Sequence, residues 1–136
     1  MTTRIIVFLA LLAVLPALWI AVRARGALAR RRLVGRWTEP ALAGGVPTVL
    51  FFTGEHCTVC HFRQKPALER LKAERNGTLR VIELDAAREP DLARRFAVLS
   101  LPTTVVLAPD GRVGAVNYGF APRDQLDAQL SGLISP

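Results

Sequence analysis

The chain has 136 residues, 51% of them hydrophobic and 21% charged, which suits one globular domain and excludes a disordered tail, a collagen-like repeat or a low-complexity scaffold. Two cysteines are too few for a disulfide-dense mini-protein. The formal charge of +7 lies at one end, with Arg4, Arg23, Arg25, Arg30, Arg31, Arg32 and Arg36 preceding the first acid, Glu39; the balanced remainder lacks the basic face of a nucleic-acid-binding domain.

Ile5 to Val22 reads IIVFLALLAVLPALWIAV without a charge. As a helix this stretch is about 27 Å long, close to the hydrocarbon thickness of a bilayer. Pro16 is tolerable in a membrane span, and Trp19 suits an interfacial anchor. A cleaved signal peptide is the rival, with Ala27-Leu28-Ala29 as a small-residue cleavage pattern. The apolar run exceeds an ordinary signal core, however, and arginines follow it at once, as in a stop-transfer signal. An uncleaved single-pass anchor, contacting the membrane through residues 5–22, is the expectation. Only Arg4 precedes the span, whereas six arginines follow it. The positive-inside rule then puts the soluble part in the cytoplasm, the alternative being the extracytoplasmic side. The same arginines can rest on anionic headgroups. The expected organisation is an anchor with a basic flank over 1–33, a linker over 34–45 broken by Pro40 and Gly44-Gly45, and a domain over 46–136.

Val46 to Thr53 is a continuous β-branched and aromatic run, expected as a central strand buried on both faces. A helix is expected from about Thr58 to Glu74, with Phe62, Leu68 and Leu71 as its apolar positions and Asn76-Gly77 as its stop. Thr78 to Asp85 reads as a second strand. Glu89 to Phe96 reads as a short helix whose acids and Pro90 suit a helix start. Thr103 to Leu107 is a third strand, joined by the turn Pro109-Asp110-Gly111 to a fourth over 112–118. A final amphipathic helix covers about 122–133, with Leu126, Leu130 and Leu133 on one face. The fold class is α/β, a mixed four-stranded sheet flanked by helices. Strands separated by helices are expected to pair in parallel and the closing hairpin antiparallel. Phe51, Phe52 and Phe62 read as core.

Cys57-Thr58-Val59-Cys60 sits where a buried strand passes into a helix. There Cys57 meets unpaired amides that favour a thiolate, and Cys60, one turn on, is within disulfide reach. Such a pair suits thiol–disulfide exchange, with Cys57 attacking and Cys60 resolving. Three other readings use the same residues. CTVCH matches a c-type haem attachment, but Met1 is the only methionine and His56 is too near to be the opposite axial ligand. Zinc would draw four ligands from six consecutive residues, whereas tetrahedral closure needs two separated pairs. A purely structural disulfide over so short a loop would constrain little.

The strand, the CxxC, the helix and Ser100-Leu101-Pro102-Thr103-Thr104 some forty residues later resemble the thioredoxin family over about 46–134. The resemblance implies a trimmed thioredoxin-like fold in which Pro102 is cis and faces the active-site sulfurs. It also implies that Leu101 offers backbone groups to a substrate chain, and that Gly119 borders the substrate groove. Departures from the family pattern are clear. The inner dipeptide is Thr-Val, and His56 stands where Trp is usual. Phe51 and Val81 occupy the places of a buried Asp and its Lys companion. Pro66 falls six residues after Cys60, where five is usual. Glu55, His56 and His61 are candidates for tuning the cysteines or handling protons. The leading reading is a membrane-tethered oxidoreductase acting on protein disulfides and recharged by an upstream electron donor. It is expected to be a monomer with no cofactor, metal or nucleic acid. The alternative is a non-catalytic thioredoxin-like module that holds a membrane protein partner.

Overall fold

The computed structural model describes residues 1–39 and 42–134. The expected break at Pro40 and the expected domain end at Pro136 lie outside the described residues. Helix α1 (Thr2–Leu33) runs unbroken through Pro16, eleven residues beyond the apolar stretch. It is the one helix among the described residues long and apolar enough to cross a membrane, as either an anchor or a signal sequence would be. Residues 2–22 are all exposed. Arg30, Arg31 and Arg32 occupy the last turn, where cations complement the helix dipole.

The remaining elements follow the expected β-α-β-α-β-β-α order: β1 (Thr48–Thr53), α2 (Lys65–Glu74), β2 (Arg80–Asp85), α3 (Pro90–Arg95), β3 (Thr103–Leu107), β4 (Val113–Tyr118) and α4 (Arg123–Ile134). The sheet order is β2-β1-β3-β4. β1 pairs with β2 in parallel, and Phe51 stands opposite Glu83. β3, although a helix separates it from β2, pairs antiparallel with β1, Phe52 standing opposite Thr103. The six-residue α3 rises only about 9 Å, short of a strand of about 20 Å, so it does not act as a crossover helix. β3 starts at the end where β1 and β2 finish.

β1 is buried along its whole length, so its alternating side chains serve two cores. Val49 and Phe51 join Cys60, Leu68, Val106, Leu126 and Leu130 on the face covered by α2 and α4. Leu50 and Phe52 join Phe96, Val105 and Leu107 on the other, with Leu33 from the end of α1. Burying each phenylalanine contributes about 2–3 kcal/mol. On the second face Gly26, Ala29 and Leu33, spaced along one side of α1, are its partly or fully buried positions. The segment after α1 is hydrogen-bonded to the hairpin, with Gly35 N–H donating to the Val113 carbonyl at 2.7 Å and Val113 N–H to that of Arg36 at 2.9 Å. Tyr118 donates its hydroxyl to the Phe96 carbonyl at 3.1 Å. Burial pushes its phenol above the ordinary range, opposed by the charge of Arg30 on α1.

The expected helix over 58–74 forms, but it is not uniform. Thr58 and Val59 are α-helical, and a π-turn then occupies Cys60–Gln64, with Lys65 N–H reaching back to the Cys60 carbonyl. Cys60 and Gln64 take the buried side of this wide turn. Phe62 lies midway between them and points the opposite way, so it is 78% exposed. Its expected place in the core is corrected accordingly.

Candidate active site

The site lies at the end of the sheet where β1 finishes. Beyond Thr53 the chain turns, and Cys57 N–H bonds to the Gly54 carbonyl at 3.1 Å before the helix begins. Cys57 and Cys60 are joined by a disulfide, with their Cα atoms 5.2 Å apart. Cys57 is partly exposed and Cys60 fully buried. The Cys60 amide N–H donates to Cys57 Sγ at 3.2 Å. An amide aimed at this sulfur from a helix start is the arrangement that stabilises negative charge there.

Leu101-Pro102 forms a cis peptide bond. Leu101 packs against the core cluster that holds Cys60, with Cys57 at its margin. A Cβ on Gly54 would stand 2.8 Å from Leu101 Cδ1, so the missing side chain lets Leu101 close over the end of β1. Gly119, at φ +91°, donates its N–H to the Pro102 carbonyl at 2.8 Å. This ties the loop after β4 to the loop before β3.

The three tuning candidates are spread over the outer side of the turn. Glu55 and His56 are exposed. His61 is exposed too, and its Nε2 donates to the Glu55 carbonyl at 3.2 Å, so the two residues meet through backbone and not through charge. Phe51 is 2% exposed and belongs to the apolar cluster around Cys60. Glu83, opposite Phe51, instead pairs with Lys65 at 3.2 Å near the sheet edge.

Sequence reasoning missed Gln64. It is fully buried, its Nε2 donates to the Ala121 carbonyl at 3.1 Å and its Oε1 accepts from Ala121 N–H at 2.9 Å. Gln64 thereby fastens the π-turn to the loop that carries Gly119. The displaced Pro66 was the available signal for it. Arg63 lies 4.2 Å from the centre of the Phe120 ring on the same loop. Exposed Val59, Phe62 and Leu99 add apolar surface around this end of the sheet.

The family model for thioredoxin matches residues 37–132. Thioredoxin of Mycobacterium tuberculosis is 35% identical over 93 residues, 68% of this chain and 78% of its own length. Thioredoxin of Listeria monocytogenes is 32% identical over 69 residues, 51% of this chain, and the match spans 66% of that relative's length. The oxidised form of mitochondrial thioredoxin 3 from Saccharomyces cerevisiae superimposes with a TM-score of 0.59 at 24% identity, covering 68% of this chain and 84% of that one.

Proposed function

The chain belongs to the thioredoxin family, and on that premise we propose that it is a membrane-tethered thiol–disulfide oxidoreductase. The observation that carries this reading is the unequal cysteine pair: partly exposed Cys57 receives an amide hydrogen bond, and Cys60 is buried behind it. In the reduced protein the Cys57 thiolate attacks a substrate disulfide and releases one substrate thiolate. Cys60 then attacks the Cys57 sulfur, which closes the Cys57–Cys60 disulfide and releases the second thiolate. An upstream dithiol donor restores the reduced pair. Leu101 and Pro102 form the backbone edge along which the substrate chain lies. Glu55, His56 and His61 tune the outer sulfur. With Phe51 beside Cys60, proton removal from Cys60 falls to water, Glu55 or a histidine.

Residues 1–33 serve as the anchor, 34–45 as the linker and 46–136 as the catalytic domain. The basic flank of α1 keeps that domain in the cytoplasm, where a thiol pair works mainly as a reductant. The test uses the full chain in membranes with a supplied dithiol. A protein disulfide should be reduced, Cys57→Ser should abolish this, and pre-reduced Cys60→Ser, freed of the dithiol, should accumulate a mixed disulfide. Full cellular function of Cys57→Ser would favour the holding module instead. A reporter fused after Pro136 should report from the cytoplasm.

A further inference from the structure

The direction of α1 relative to the sheet bears on what this site can reach. At the far end of β4, Gly35 and Arg36 are hydrogen-bonded to Val113. At its near end, a Cβ on Gly26 would stand 3.9 Å from the Tyr118 ring. α1 therefore runs antiparallel to β4, and its earlier residues lie toward Tyr118. Tyr118 is in register with Thr103, which is in register with Phe52. That is the end of the sheet where the Leu101-Pro102 loop and the disulfide sit. A cleft of about 430 Å³ continues the contact outward, with Val22, Arg23 and Arg30 on the helix side and Leu99, Ser100 and Tyr118 on the other.

The apolar run ends at Val22, only four residues before Gly26, so with α1 as the proposed anchor the bilayer's hydrocarbon would stop about 6 Å from the level of Tyr118. Arg23 lies 4.7 Å from the centre of the Trp19 ring, a pair suited to the headgroup level. A headgroup layer is itself about 5–8 Å thick. In an anchored chain the disulfide, which lies past the end of β1, would thus face the membrane surface. Leu99 and Phe62, 75% and 78% exposed, look out from the same end.

We propose that the substrates are disulfides of integral membrane proteins held in the headgroup layer on the same side as the domain, because α1 carries the sheet with its redox end toward the bilayer. The proposal rests on the exchange reaction and the α1 anchor given above and adds to them the class of substrate. In each turnover a membrane-level disulfide accepts two electrons and leaves as two thiols, the Cys57–Cys60 pair becomes the disulfide, and a dithiol donor re-reduces it.

The full chain in lipid vesicles, kept reduced with a dithiol, tests this against two synthetic transmembrane helices. Both carry the same disulfide loop, one within a turn of the apolar stretch and the other on a helical stalk about 40 Å long. The two loops must be reduced equally by the dithiol alone. The near loop should be reduced at least tenfold faster by the protein. Inserting seven helix-forming residues after Val22, which raises the domain about 10 Å, should remove most of that preference. Equal rates, a faster remote loop, or reduction of a soluble protein disulfide with neither loop reduced would overturn the proposal. Failure to reduce any disulfide, soluble or anchored, would instead overturn the exchange reaction itself.

Discussion

On one face of the sheet Val49, Phe51 and Val106 pack with Cys60, and polar side chains are buried among them. Gln64 holds Ala121, while Asn117 bonds Thr104 at 3.1 Å and Gln129 at 2.9 Å. On the other face Leu50, Phe52, Phe96 and Val105 form hydrocarbon contacts, sealed by Leu33 of α1. Phe52 and Phe96 meet there at 5.9 Å between ring centres. The contrast shows a division of labour. The first face uses directional bonds to hold the loops that shape the site, and the second supplies bulk stability and the seat for α1. Hydrogen bonds fix positions to fractions of an ångström, whereas apolar burial is non-directional.

Substitutions on the two faces should therefore differ in kind. The largest effect is expected on the site face, from Phe51→Asp, which removes a buried ring and buries a carboxyl, at a cost of about 5 kcal/mol. Desolvation raises the new carboxyl above its unfolded value. Its stability contribution is then greatest at low pH and lost as pH rises, so urea unfolding should show a larger deficit at pH 8 than at pH 5. Molecules that stay folded should release the mixed disulfide faster, since Cys60 gains a neighbouring base. Unchanged release would show that the missing acid is not what limits the reaction.

Phe52→Ala, on the opposite face, should cost about 4 kcal/mol yet leave the exchange rate per folded molecule as it was. A matching fall in rate would erase the contrast between the faces. Gln64→Ala should cost only about 2 kcal/mol, the penalty of leaving Ala121 unpaired, but slow exchange with protein disulfides several-fold. Reduction of a small-molecule disulfide, which needs no groove, should change little.

Tyr118→Phe should have the smallest effect, about 1 kcal/mol for one hydrogen bond. Because burial raises the phenol, the wild type has the full contribution of this group below pH ~10 and loses it at higher pH. Unfolding midpoints followed from pH 8 upward should lack that loss in the variant.

The order of elements was legible because each left a local mark: β1 as an uninterrupted apolar run, α4 as leucines at helical spacing, and the hairpin as Pro109-Asp110-Gly111. The direction of β3 left none, since it depends on how far the short α3 carries the chain. The cysteines and Pro102 were visible as motif residues. Gln64 was not, because its partner, Ala121, is a backbone distant in sequence and unremarkable in type. Phe62 was misplaced for a related reason. Apolar character predicts burial only when the helical phase is known, and the π-turn changes that phase. The docking of α1 on β4 was also hidden, since Gly26 and Ala29 carry no hydrophobic signal of their own.

That π-turn acts on the phase of the helix behind it. One residue added to an ordinary helix rotates everything downstream by about 100°, which here would have swung Leu68 and Leu71 off the sheet. The wide turn at Cys60–Gln64 confines the slip to a single loop of backbone, and both leucines stay buried. The stretch behaves as an expansion joint, taking up a residue behind the cysteines while the core beneath it keeps its packing.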